Sequence, residues 1–330
     1  INENWCNECD YKFNKLKSVF CLVCILTLCL TGCGDKIENA YDPYANDYIN
    51  GYNGMDYFSS KLCVTNDVNF GPDSVSSSSV AEGAGAFNVD THQVLYSQNI
   101  FEKLYPASTT KIITAYIILK NCDTNATVTV SHDAANPGNS SSVCGLKEGD
   151  VMTVGDLLYG LLLESGNDAA IALAEFYSGS IEAFAQEMNN TAKSFGATNT
   201  NFVNPSGLPD ENHYTTVYDM YLIFQNAISL ESFVNIISSQ THDVSYTNAS
   251  GAAVTKTFKN TCGYLTGAYK APENITVTGG KTGTTGEAGY CLVLLSQNAK
   301  NERIISIVYK ADGRRNLYTL MNDILSGFAN

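Results

Sequence analysis

Positive charge is scarce in this chain of 330 residues: 19 lysines and arginines stand against 33 acidic residues, for a formal charge of −14. A nucleic-acid footprint needs clustered Lys and Arg to meet phosphates, so no nucleic-acid partner is expected. Histidine is scarcer still, and His92, His132, His213 and His242 have no spacing that makes a metal site. No Gly-x-x-x-x-Gly-Lys-Ser/Thr loop occurs, which removes one common phosphate cradle. Long apolar runs are lacking too. The run at residues 19–30 holds twelve residues, where a bilayer-spanning helix needs about twenty. Cysteine occurs eleven times but not as a disulfide framework. Five copies precede Gly32, and with Cys33 set aside an odd set remains: Cys63, Cys122, Cys144, Cys262 and Cys291. A Cys122–Cys144 pairing across a loop of about twenty residues stays open. Neither Cys6-x-x-Cys9 nor Cys21-x-x-Cys24 has the second pair or nearby histidine that a metal would require.

What is present begins with an export signal. Lys12, Lys15 and Lys17 precede the apolar run, and Thr31-Gly32-Cys33-Gly34 follows it. Basic, apolar, small is the order of such segments. Eleven residues opening on Ile1 stand ahead of Lys12, so the start as read is either extended or short of its true beginning. Leu30-Thr31-Gly32-Cys33 resembles the lipobox of bacterial lipoproteins. That resemblance implies cleavage before Cys33 and its diacylation, two chains holding a membrane far better than one. Residues 1–32 are thus expected to be a signal, and the rest to sit, lipid-anchored, on the outer face of the bacterial cytoplasmic membrane. Residues 33–86 show no helical or strand period. Nine acidic residues against two lysines lie between 34 and 90, and a disordered acidic tether is expected.

The folded domain is expected over 87–330, and 44% apolar content supplies its core. Residues 92–97 read as a strand, and Pro106-Ala107-Ser108-Thr109-Thr110-Lys111 opens a helix whose apolar positions follow from 112 to 119. A helical block at about 122–240 comes next, holding segments 154–163, 169–177, 180–195 and 216–228, with a strand-like piece at 126–130. The period then changes: 253–258, 275–278, 290–295 and 303–309 read as strands, and 317–328 closes as a helix. An antiparallel sheet with a helical insert explains this order, whereas a parallel nucleotide-binding sheet would require regular strand-helix alternation.

Three short signals carry chemistry. Ser108 and Lys111 are three apart and share a helix face, placing an amine beside a hydroxyl. Ser165-Gly166-Asn167 stands at a junction between two helices, 57 residues on, and Lys281-Thr282-Gly283-Thr284 ends a strand 116 residues further. A serine hydroxyl needs a base within reach, and Lys111 can serve if burial and a positive neighbour, Lys281, keep it neutral. Ser165 can relay a proton and Asn167 can fix Lys111 and hold a substrate amide. Each signal has a bland counterpart, Ser108 and Asn167 as helix caps and Lys281 as a solvated strand end. Their order and local settings together form the set of penicillin-binding proteins and serine β-lactamases.

From about 86 to 328 the chain resembles the D-alanyl-D-alanine carboxypeptidases of peptidase family S11, the low-molecular-mass penicillin-binding proteins. The matching text is 106–111, Leu163-Glu164-Ser165-Gly166-Asn167-Asp168-Ala169-Ala170 and 280–290. The resemblance implies a β-lactamase/transpeptidase-like fold of class α/β + α, an antiparallel sheet flanked by helices with an all-helical subdomain. It also implies hydrolysis of the terminal D-alanine of peptidoglycan stem peptides through an acyl-enzyme on Ser108. Lys281, Thr282, Gly283 and Thr284 would bind substrate, the backbone N–H groups of Ser108 and Thr284 would form the oxyanion hole, and β-lactams would inhibit covalently. Arg314 falls where the family often carries Gly-Arg and is expected to add carboxylate attraction. No metal or organic cofactor and no obligate protein partner is implied. Two departures stand out. Relatives often add a β-rich domain and an amphipathic C-terminal helix, whereas this sequence ends at Asn330, so Cys33 is the expected anchor. The family's Asn-x-Asn-x-Leu-Leu segment is reduced to Asn260-Thr261-Cys262-Gly263-Tyr264-Leu265. The rivals are a class A-like β-lactamase, which needs a deacylating acid that 199–210 does not supply in a Glu-x-x-Leu-Asn pattern, and an inactive peptidoglycan-binding or penicillin-sensing lipoprotein.

Overall fold

The structure, a computed structural model, describes residues 58–138 and 142–329. The expected signal segment, Cys33 and the part of the expected tether up to residue 57 lie outside the described residues. The strands, in chain order, are β1 (Ala81–Asn88), β2 (Gln93–Gln98), β3 (Thr127–Thr129), β4 (Val151–Thr153), β5 (Thr241–Thr247), β6 (Ala253–Lys259), β7 (Thr276–Thr285), β8 (Gly289–Gln297) and β9 (Arg303–Ala311). The helices are α1 (Lys111–Asn121), α2 (His132–Ala135), α3 (Val154–Leu162), α4 (Asn167–Ser178), α5 (Ile181–Ser194), α6 (Val217–Ala227), α7 (Glu231–Ser238) and α8 (Arg314–Phe328).

Five strands make the main antiparallel sheet, in the order β2-β1-β9-β8-β7. Both its faces are covered. Cys291, Val293 and Leu295 of β8, with Ile305, Ile307 and Tyr309 of β9, point into the helical body. The alternate residues Leu292, Leu294, Ile304 and Val308 meet Leu317, Leu320, Met321 and Ile324 of α8. A strand buried on both sides reads as a continuous apolar run, not an alternation, which is how β8 and β9 look in sequence. The antiparallel, helix-flanked class expected from the sequence is the one observed.

The helical body surrounds α1, whose Ile112, Ile113, Ala115, Ile117 and Ile118 are all buried. A helix apolar nearly all round belongs inside a fold. Its neighbours start cleanly: Thr153, Ser180 and Thr216 accept backbone N–H groups three residues on, capping α3, α5 and α6, each such cap contributing about 1 kcal/mol. Helix α4 stops at Gly179, whose φ of 78° suits glycine.

Two expectations need correction. Residues 58–86 are not a tether. Cys63 is fully buried, its N–H donating to the Tyr221 hydroxyl at 2.8 Å and its carbonyl accepting from Tyr218 at 2.9 Å. Val75 is buried as well, and Ala81 opens a strand flanked by two others. That strand, Ala-Glu-Gly-Ala-Gly-Ala-Phe-Asn, has no β-branched residue and a single aromatic, Phe87, and so lacks most of the pattern by which strands are recognised. The reason is close packing: a Cβ on Gly83 would come 2.8 Å from Leu104, and one on Gly85 3.0 Å from Val217. Second, the insert is not all helical. Strands β3-β4-β5-β6 form a separate four-stranded sheet, and the segment expected to join the main sheet at 253–258 pairs instead with β5. The pairing left open between Cys122 and Cys144 is not made, and both are free thiols.

Candidate active site

A single 3-10 turn, Ala107–Thr110, carries Ser108 into the N-terminus of α1. Ala107 has a φ of 47°, a left-handed conformation that alanine adopts only when its surroundings impose it. Two segments impose it. Gly207 lies so close that a Cβ there would stand 1.8 Å from the Ala107 carbonyl oxygen, and a Cβ on Gly283 would stand 3.0 Å from the Ser108 nitrogen. The nucleophile turn is held between the 204–208 loop and β7.

Lys111, one turn after Ser108, is fully buried. Its Nζ lies 3.1 Å from Ser108 Oγ, 2.7 Å from Asn167 Oδ1 and 2.7 Å from the Ser206 carbonyl oxygen. The last two atoms can only accept. A neutral amine donates its two hydrogens to them and directs its lone pair at the remaining neighbour, the serine hydroxyl. Burial, together with the nearby charge of Lys281, holds the Lys111 amine well below its usual range and so favours that form.

Asn167 is the first residue of α4, and its N–H donates to the Ser142 carbonyl at 2.8 Å. Ser165, two residues earlier, also has a left-handed φ, 61°. That conformation aims its hydroxyl at Lys281, whose Nζ donates to Ser165 Oγ at 3.0 Å and to the Thr282 carbonyl at 2.8 Å. Lys281 is fully buried in β7, and burial pulls its pKa down to about 7.

A cleft of about 350 Å³ opens over these groups, lined by Ser108, Ser165, Thr282, Gly283, Thr284 and Arg314 among others. A second arm, about 250 Å³, runs from Ser108 past Asn167 and Ser206 to Thr284 and Glu287. Residues expected from three distant stretches of sequence therefore line one cleft, with the two lysines beneath it.

Several contributors escaped the sequence reading. The Ser206 carbonyl has no side-chain signature, although Asn204-Pro-Ser-Gly is a turn-forming string. Asn204 Oδ1 indeed accepts from the N–H groups of Ser206, Gly207 and Leu208. Asp168 is buried, and its carboxylate accepts from the N–H groups of Cys144, Gly145, Leu146 and Ala169 at 2.8–3.0 Å. It ties the 142–146 segment, which borders the cleft, to α4. Thr261, in the reduced Asn-x-Asn motif, shares a 2.7 Å hydrogen bond with the Thr282 hydroxyl. His213, pushed down to about 4 by burial, is neutral; its Nδ1 accepts from the Val203 N–H at 3.2 Å, so Nε2 donates to Thr110 at 2.9 Å. Among the described residues no group of His, Cys, Asp and Glu could hold a metal ion.

Residues 73–313 match the peptidase S11 family, D-alanyl-D-alanine carboxypeptidase. The chain is 36% identical over 236 residues to the D-alanyl-D-alanine carboxypeptidase DacF of Bacillus subtilis (strain 168), covering 70% of this chain and 57% of that protein. It is 39% identical over 228 residues to DacC of Escherichia coli (strain K12), covering 66% and 54%. The chain thus spans about half the length of the curated relatives it matches. Among solved structures, the Streptomyces K15 DD-transpeptidase is similar over 75% of this chain and 97% of its own, with a TM-score of 0.68 and 30% identity.

Proposed function

The chain belongs to the peptidase S11 family of D-alanyl-D-alanine carboxypeptidases, and from that premise we propose that it removes the terminal D-alanine of peptidoglycan stem peptides through an acyl-enzyme on Ser108. The observation that carries this reading is the buried Lys111 amine within hydrogen-bond distance of Asn167 Oδ1, the Ser206 carbonyl and Ser108 Oγ, because a neutral amine that donates to the two pure acceptors turns its lone pair to the serine.

In the first step Lys111 takes the hydroxyl proton as Ser108 Oγ attacks the penultimate D-Ala carbonyl. The backbone N–H groups of Ser108 and Thr284 receive the oxyanion, a contribution of about 3 to 4 kcal/mol per donor at such sites. Ser165 passes a proton on to the leaving amine, and D-alanine departs. Water then attacks the ester and regenerates Ser108. Asn167 holds Lys111 through its oxygen and offers its Nδ2 to the substrate amide. Thr282, Thr284 and Arg314 receive the terminal carboxylate, with Lys281 adding positive potential from below. Gly283, free of a side chain, lets the peptide lie against β7 as an added strand. β-Lactams would acylate Ser108 by the same steps. In the curated relatives the name is carboxypeptidase, in the solved structure DD-transpeptidase, so the acceptor, water or an amine, is part of what must be measured.

The test is release of D-alanine from a diacyl-L-Lys-D-Ala-D-Ala peptide by wild type and by Ser108→Ala. Release by the first alone supports the reading. A penicilloyl adduct on Ser108 without release points to crosslinked substrates or sensing, and rapid turnover of penicillin points to a β-lactamase.

Attachment to the outer face of the membrane through diacylated Cys33 is proposed from the lipobox alone. Palmitate labelling of wild type but not of Cys33→Ala would support it, and equal labelling would refute it.

A further inference from the structure

The two arms of the cleft meet at Ser108 and differ in charge. One arm holds Arg314 and the Thr282 and Thr284 hydroxyls, with Lys281 beneath, and suits the terminal carboxylate. The other arm must then take the acyl side of the peptide. Its walls are Ser206–Pro209 and Thr284–Glu287, and the only charged group among its described lining residues is Glu287.

Glu287 stands exposed on the turn between β7 and β8, and no Lys or Arg among the described residues forms an ion pair with it. The turn is pinned, since the Ala288 N–H donates to Thr285 Oγ1 at 3.0 Å. Next to it, the space where a Cβ of Gly286 would project is empty. Beyond Glu287 the surface continues as an open trough containing Glu82, Lys310 and Asp312. Lys310 Nζ is already paired with Glu82 at 2.6 Å, so it does not neutralise the turn.

We propose that Glu287 is a specificity-determining residue that receives a cationic side chain on the substrate residue preceding D-Ala-D-Ala. The proposal rests on the carboxypeptidase reading above and deepens it. A peptide paired along β7 advances about 3.3 Å per residue. With the penultimate D-Ala held at Ser108 and Thr284, the residue before it lies opposite Thr285 and Gly286. From there a flexible four-carbon amine passes over Gly286 to the Glu287 carboxylate. The site therefore selects stem peptides whose diamino residue is free, and disfavours those whose amine is acylated by a crosslink.

The experiment measures D-alanine release by the full chain from two Nα-acyl-L-Lys-D-Ala-D-Ala peptides, one with a free ε-amine and one Nε-acetylated. Wild type is expected to favour the free amine in kcat/KM by about 3- to 5-fold, the upper range for an exposed ion pair. Glu287→Gln brings the ratio to about 1, and Glu287→Lys brings it below 1. A wild-type ratio near 1, or a ratio that survives Glu287→Gln, overturns the subsite while leaving the carboxypeptidase reading intact. No release from either peptide by wild type overturns that reading, and the subsite with it.

Discussion

Replacing Gly207 with alanine tests how the nucleophile is positioned. The added Cβ would stand 1.8 Å from the Ala107 carbonyl oxygen and 2.4 Å from its carbon. Both are backbone atoms, so no side-chain rotation relieves the contact. Restoring a 3.0 Å separation requires a displacement of about 1.2 Å, the difference between the two distances. Either the turn before Ser108 moves, or the 204–208 loop does and carries the Ser206 carbonyl away from Lys111. Gly207 also has a φ of 88°, and a left-handed alanine costs a further ~1–2 kcal/mol. Misplacing a reacting group by about 1 Å costs on the order of 100-fold in rate. The assay is the rate of Ser108 acylation by a fluorescent penicillin, with a thermal melt alongside to establish that the variant is folded. The expected result is a folded protein acylated about 100-fold more slowly. A folded variant acylated within threefold of wild type would refute the claim that the 204–208 loop holds the nucleophile turn.

Four further outcomes are expected. Lys281, with its pKa near 7 against an ordinary 10.5, loses its charge as pH rises through 7, so KM for the peptide should climb above that pH; a KM flat to pH 8.5 would count against its role. The same shift sets a stability slope: between about 7 and 10.5 the unfolded chain holds a proton that the folded chain does not, so this group makes stability rise with pH across that window, as urea unfolding of wild type against Lys281→Met can measure. Asp168→Asn keeps the shape but turns an amide NH₂ toward one pair of the four N–H groups; a loss of about 2–4 kcal/mol in denaturant unfolding is expected, and a loss under 0.5 kcal/mol would show that the carboxylate does not hold the 142–146 segment. A chain starting at Val89 lacks β1 and should show no cooperative melt, whereas one starting at Phe58 should; equal melts would deny β1 its place in the sheet.

The chemistry was more legible in the sequence than the scaffold. Ser108, Lys111, Ser165, Asn167 and Lys281 announce themselves because catalysis needs particular side chains in particular local settings. The contributions that stayed hidden come from backbone. The Ser206 carbonyl completes the base without any side-chain role, and Gly207 matters for what it lacks. β1 was missed for a related reason: its glycines, Gly83 and Gly85, stand against Leu104 and Val217, contacts that no window of local sequence contains. Of the second sheet, the strand-like piece at 126–130 and the strand at 253–258 were legible, whereas β4, three residues long, and β5 were not, and nothing local says that these four segments pair with one another. Glu287 carries no motif, and its interest arises only from which arm of the cleft it lines.

β1 and β9 lie side by side in the main sheet, with Ala81 opposite Ala311 and Asn88 opposite Ile304. During synthesis, β1 leaves the ribosome more than 200 residues before the partner that covers its inner edge. At about 5–20 residues per second that is a wait of roughly 10–40 s. Throughout this interval the β1–β2 hairpin has an open flank of backbone donors and acceptors, while the helices around α1 are already complete in sequence. The main sheet, and with it the β7 wall of the cleft, closes last. A nascent chain stalled before Arg303 would therefore carry every residue that lines the cleft at Ser108 except Arg314, Leu317 and Tyr318, and still have no finished sheet on which to hold them.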